Sequence, residues 1–183
     1  GQPPLFASFV EVFNAGEAIY DAVELDLMAK LGENTTLSLN YAYLDTELDD
    51  VEVPAASFLL SGPPASAVDQ RGQDITDSTY IAFAPENAVT IALDHSFPLA
   101  FASLDLHVDY SWRDELYSQP GMGLPVNDLG MVNARATLAG IDIGGSQLDV
   151  GLWGKNLSDE EEVVYNLSAA GFQYNMPLTY GID

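Results

Sequence analysis

Six stretches of this chain alternate apolar and polar residues with a period of two, over lengths that few globular strands reach. Residues 19–29, "IYDAVELDLMA", put Ile19, Val23, Leu25, Leu27 and Ala29 on one face and Tyr20, Glu24, Asp26 and Met28 on the other. A helical period would mix these acids into the apolar stripe, so the pattern predicts a strand. Leu37, Leu39, Tyr41 and Tyr43 repeat it against Ser38, Asn40 and Ala42, and Val89, Ile91 and Leu93 repeat it again. Leu104, Leu106, Val108, Tyr110 and Trp112 oppose Ser103, Asp105, His107, Asp109 and Ser111. Val132 to Leu138 and Leu148 to Leu152 complete the six, and weaker runs lie around Val163–Leu167 and Leu178–Ile182. The expected fold is all-β, an antiparallel up-and-down meander of about eight strands with almost no helix.

The runs span roughly 9–12 residues, which suits a tilted strand crossing a bilayer better than an ordinary strand of about 5–6. Connections alternate in length. "LGEN", "FPLA" and "GIDIGG" are short, whereas 45–86, 113–128 and 156–162 are long. Short turns at one end and long loops at the other characterise a transmembrane β-barrel, with short periplasmic turns and long extracellular loops. Tyr41, Tyr43, Tyr110 and Trp112 end their runs beside long loops, and Phe97 and Phe101 flank a short one, as interfacial aromatic girdles do. On this reading Leu25, Leu39, Val108 and Leu152 face lipid. In "GLWGKNLSDEE" the strand leaves the hydrocarbon at Asn156, while Asp149 and Lys155 face the lumen.

Composition narrows the partners. The formal net charge is −23 with five Lys+Arg, yet 48% of the 183 residues are hydrophobic. That is too apolar for a disordered acidic tail, and the acids repel phosphates, so no nucleic acid is expected. Without cysteine there is neither a disulfide nor a thiolate metal site. No stretch approaches 18 uninterrupted apolar residues, and "GQPPLFASFVEVFNAGEA" shows no signal-peptide pattern.

The order of several short motifs resembles a known family. "NAGEAIYDAVELDLMAKLGENTTLSLNYAYLDTEL", "FAPENAVTIALDHSF", "VNARATL", "LWGKNLSDEE" and "PLTYGID" follow in the order and spacing of the carboxyl-terminal barrel of TonB-dependent outer-membrane receptors. The resemblance covers residues 14–183. It implies uptake of siderophores, vitamins, sugars or similar nutrients across a bacterial outer membrane, energised by the TonB complex. It also implies the rest of the receptor barrel, a plug and outer-membrane lipid as partners. There are departures: the family's plug, TonB box and most of its roughly 22 strands are missing, Glu162 stands where an aromatic is usual, and the chain stops at Asp183 without a terminal aromatic. Residues 1–183 are therefore expected to be the carboxyl-terminal portion of a longer receptor. Strands cut from a larger barrel would leave two open edges, so either the remainder accompanies the chain or the segment closes on itself.

Inward-pointing polar residues form an expected lumen network of Asp105, His107, Asp109, Arg135 and Asp149, with Arg135 paired to Asp109 or Asp149. The long loop from Asp45 to about Glu86 is the best candidate for ligand contact, through Phe58, Arg71 and Tyr80. Its "DTELDDVEVP" fails the EF-hand template, with Asp50 where glycine is needed and Ala56 where glutamate is needed, so it is read as solvated. His95 and His107 point to opposite faces and share no metal site. "SGPPAS" and "GMGLPV" fall short of nucleophile and dinucleotide motifs, so neither a catalytic residue nor a cofactor is expected. A soluble acidic β-sandwich for binding or adhesion, with calcium or carbohydrate, is the alternative. It would bury its apolar faces against one another.

Overall fold

The period-two runs do form strands. The computed structural model describes residues 16–55, 71–119, 125–166 and 171–183. Strands β1 (Glu17–Lys30), β2 (Thr35–Asp49), β3 (Asn87–Pro98), β4 (Ser103–Arg113), β5 (Leu129–Ile143) and β6 (Ser146–Lys155) pair antiparallel in sequence order, and β9 (Thr179–Ile182) adds to β6. The weaker run near Val163 does not enter this sheet. As β7 (Val163–Asn166) it pairs with β8 (Phe172–Tyr174) in a separate hairpin within the β6–β9 connection. The only helical turn among the described residues is the 3-10 segment Thr76–Ser78.

Register fixes the two faces. Leu37 opposes Leu93, Leu93 opposes Val108, and Val108 opposes Ala134, so one face is a continuous apolar surface. Leu25, Leu39 and Leu152 share that face through Leu25↔Tyr41, Leu39↔Ile91 and Leu152↔Ile182. The opposite face carries Asp26, Asn40, Asp94, Asp105, His107, Asp109, Arg135 and Thr137. His95, beside Leu106, lies on the apolar face, opposite in orientation to His107, which stands across from Asp94.

Among the described residues no second sheet packs on either face. Every residue of β1 but Ala29 is exposed, and Leu152 is 58% accessible. The buried apolar residues Val51, Val53, Leu116, Val126 and Leu129 all lie at the long-loop end, where a Leu116–Val126 bridge and a Val53–Gln73 hydrogen bond tie the connections together. A sandwich would bury the sheet's apolar face instead, so this architecture overturns the sandwich alternative. Nor does the sheet close on itself: β1 and β9 stand at its two edges without pairing.

The turn expected at "GIDIGG" is shorter than its sequence suggests. β5 runs on to Ile143, and only Gly144 and Gly145, with φ of 62° and 92°, make the reversal. A bulge between Leu138 and Ile141 absorbs one extra residue, with Gly140 at φ 75°. At the long-loop end of the apolar face, Tyr41 donates its hydroxyl to Asn87 Oδ1 at 2.7 Å and Trp112 Nε1 donates to Asp128 Oδ2 at 3.0 Å. Each ring lies on apolar surface with its polar tip satisfied.

Candidate functional site

The polar face is bridged strand to strand. Asp26 accepts from Asn40 Nδ2 at 2.5 Å, Asp105 from the hydroxyls of Ser96 at 2.6 Å and Ser103 at 3.2 Å, and Asp109 from Asn133 Nδ2 at 2.7 Å. His107 lies between two carboxylates, with Nδ1 2.7 Å from Asp94 and Nε2 3.3 Å from Asp109. Toward the short turns, Lys30, Asp94, Asp105, His107, Arg135 and Thr137 line an open recess of about 350 Å³.

Of the expected network, Asp105, His107, Asp109 and Arg135 are brought onto neighbouring strands, but the predicted partner of Arg135 is wrong. Its Nη2 donates to Asp183 at 3.0 Å, and its Nε donates to Thr137 at 3.1 Å. The register explains the difference. Asp109 sits opposite Asn133 and is occupied by it, while Asp149 is drawn to the bulge, where it accepts the Gly140 N–H at 2.7 Å. Gly151, with no side chain to obstruct, leaves the guanidinium a path across β6 to Asp183; a Cβ there would meet both groups of the pair.

At the long-loop end a second recess, about 260 Å³, is lined by Thr46 and Leu48 of β2 and by Tyr80, Glu86, Glu115 and Tyr117 of the connections. Thr46 and Leu48 lie on the polar-face side of β2, in the same alternation as Asn40 and Asp26. The Tyr80 and Tyr117 rings stack with centroids 3.6 Å apart and planes 5° from parallel. Hydrogen bonding to Tyr80, followed by desolvation and the nearby charge of Glu115, raises the Tyr117 phenol above its ordinary value. A second stack, Phe83 on Tyr165 at 5.8 Å, joins this region to the β7–β8 hairpin, with Phe83 held at φ 59°.

The three loop residues singled out from sequence fare differently. Tyr80 is in the recess. Arg71 is exposed at a turn closed by Gly72 N–H to Val53 carbonyl at 2.7 Å, and it does not line the recess. Phe58 lies outside the described residues. Sequence reasoning missed Tyr117, whose partner is 37 residues away in the chain, and it read Asn156 only as a strand end, whereas Asn156 is 1% accessible at φ 52°. Asn156 Nδ2 donates to the carbonyls of Glu160 and Met176 at 2.8 and 3.0 Å, and its Oδ1 accepts the Glu160 N–H at 3.0 Å. It also missed Val51 and Val53, whose V-x-V alternation was a legible sign of burial. No group of His, Asp and Glu able to hold a metal ion occurs among the described residues.

No protein-family model matches the chain. No curated protein matches it either. Solved structures do share its fold. The ferric yersiniabactin uptake receptor FyuA from Yersinia pestis superposes with a TM-score of 0.68 at 16% identity, over 92% of this chain and 23% of the receptor. BauA, the ferric preacinetobactin receptor from Acinetobacter baumannii, gives 0.59 at 15% identity, over 92% of this chain and 22% of the receptor. The chain thus has the fold of a barrel segment of such receptors and spans under a quarter of their length.

Proposed function

We propose that residues 1–183 form the carboxyl-terminal portion of the barrel wall of a TonB-dependent outer-membrane receptor, which takes up a nutrient such as a ferric siderophore, a vitamin or an oligosaccharide. The observation that carries the reading is the uncovered two-faced sheet: seven strands in meander order with an apolar face that no second layer covers among the described residues, matching the barrel of two siderophore receptors. In water so much bare apolar surface invites aggregation. In a bilayer it is the face that lipid covers, and Leu25, Leu39, Val108 and Leu152 are its members. The polar face then lines the lumen, where a plug would sit against Asp105, His107, Asp109, Arg135 and Asp149. The long-loop end is external, with Tyr80 on the ligand side, while Arg71 stands at a separate turn off the recess.

The rest of the barrel supplies partners for the β1 and β9 edges, and coupling to TonB comes through the parent receptor. Function here is passage and recognition rather than catalysis, in keeping with neighbours that are receptors. The test is the mass and composition of the particle carrying this chain, extracted from native outer membranes in mild detergent. A receptor-sized particle containing plug sequence, with nutrient uptake lost when TonB is deleted, is the expected result. A chain that runs alone and stays dispersed after detergent removal refutes the reading.

A further inference from the structure

We propose that the ligand admitted at the Tyr80–Tyr117 recess is a small organic cation with an aromatic or apolar body; this rests on the receptor reading above and specifies its substrate class.

The argument begins with a shortage of positive charge. The chain has five Lys+Arg in all. Lys30 ends β1 at the short-turn end, and Arg135 is paired with Asp183. Lys155 lies 6.0 Å from the Trp153 ring centroid. Arg113 donates Nη1 to the carbonyls of Asp114 at 2.8 Å and Asn127 at 3.0 Å. Arg71 is at its separate turn, off the recess. The sequence of residues 56–70 and 120–124 contains no Lys, Arg or His, so those parts of the external loops add no cation either.

The recess wall therefore presents Glu86, Asp114 and Glu115 and no cation. Asp114 is already engaged, accepting from Asn87 Nδ2 at 3.2 Å and from the Glu115 N–H at 3.0 Å. Glu86 and Glu115 make no side-chain hydrogen bond or ion pair among the described residues, so their charges are offset by nothing on the wall. An anion entering here would be desolvated against like charge with no cation to receive it. A cation meets the reverse: unbalanced carboxylates beside the stacked Tyr80 and Tyr117 rings that line the recess, the combination that holds organic cations. The surrounding external acids, from Asp45 to Glu52 and from Asp159 to Glu162, extend the same sign of potential and favour the approach of cations.

The test uses the full polypeptide carrying this chain, purified in detergent, with two probes of similar size: benzyltrimethylammonium and benzenesulfonate. Equilibrium dialysis is run at low and at near-physiological salt. The expected result is binding of the cation alone, weakened several-fold by salt, because exposed charges are screened over about 10 Å at 0.1 M. Glu86→Gln and Glu115→Gln together should weaken it about tenfold while the thermal melt is unchanged, since both side chains project into solvent-open space. Binding of the sulfonate as tightly as the ammonium, absence of binding by either probe at millimolar concentration, or indifference to both substitutions would overturn the inference. Energised uptake separates this claim from the one beneath it. TonB-dependent uptake of an anionic complex through this recess leaves the receptor reading standing and sinks the cation. Cation binding to a protein whose removal affects no TonB-dependent uptake does the opposite.

Discussion

Val108 is the position at which the membrane reading is most exposed to refutation. It stands at the middle of the eleven-residue β4, on the apolar face between Leu93 of β3 and Ala134 of β5, and is 46% accessible because no protein layer covers it. If lipid covers that face, Val108→Arg places a guanidinium near the bilayer midplane, at a cost of about 2–4 kcal/mol. The same substitution near the interface, Leu104→Arg beside the short turn, should cost only ~0–1 kcal/mol. Ser111→Arg, on the polar face, falls in the range of ordinary surface changes, within about 0.5 kcal/mol. The three variants are compared by urea titration of the polypeptide refolded into phospholipid vesicles, with the heat-sensitive folded band on a denaturing gel as readout. A graded order, Val108 well above Leu104 and Leu104 at or above Ser111, is the signature of depth in a bilayer. Equal costs at Val108 and Leu104, or a Ser111 cost matching that of Val108, would refute the assignment of the apolar face to lipid.

Three further outcomes are expected. Gly151→Val puts a side chain into the space shared by Arg135 and Asp183, so it should break their pair; disorder at the β9 edge, read as faster hydrogen exchange at the Asp183 amide that donates to the Gly151 carbonyl, reports it, and unchanged exchange would show the pair to be dispensable. Asn156→Ala removes four side-chain hydrogen bonds from a buried left-handed position and should cost about 3 kcal/mol, whereas Asn156→Gly recovers only the backbone part. Asp74 is held below its ordinary pKa by the backbone N–H of Thr76 and then by the Thr76 hydroxyl. A depressed carboxylate contributes order that is complete above its unfolded value of 3.8 and is lost as pH falls through the lower folded value. Exchange of the Thr76 amide should thus be flat down to roughly pH 4 and accelerate below it relative to its intrinsic rate, and Asp74→Asn should abolish that dependence.

Period-two patterning was enough to place β1 to β6 because one face of each is uniformly apolar and a slip of one residue would invert it. What it did not reveal depends on contacts far apart in the chain. The Arg135–Asp183 pair spans 48 residues and needs the bare backbone of Gly151 between its members. Tyr80 was singled out by its place in a long loop, but its stacking partner Tyr117 comes from another connection, and no local pattern joins them. The run at Val163 has the composition of a strand, and Val163–Asn166 forms one, yet its partner is the nearby Phe172–Tyr174, so the wall's last strand is Thr179–Ile182. Composition identified the strand without identifying its sheet. In "DTELDDVEVP" the acids masked the two valines, which became the most deeply buried apolar residues of the loop end.

The bulge in β5 shows how one glycine and one carboxylate set the register of a whole strand end. Before it, Ala134, Ala136 and Leu138 lie on the apolar face; after it, Ile141 and Ile143 do, opposite Leu148 and Ser146, while Asp142 faces Gln147 on the polar side. Without the extra residue the alternation would run on, turning Asp142 toward the apolar face and both isoleucines toward the polar one. Gly140 makes the insertion possible at φ 75°, and the Asp149 carboxylate accepts its N–H at 2.7 Å, satisfying a donor that the interrupted ladder leaves over. Asp149→Ala should therefore cost about 1.5–3 kcal/mol, the range for a hydrogen bond to a charged group. Gly140→Ala, strained at a positive φ, should cost at least about 1 kcal/mol. Because both act on the same bulge, the double variant should be less destabilised than the sum of the two, by more than about 0.5 kcal/mol in a mutant cycle. Strict additivity would mean that Asp149 stabilises something other than the bulge.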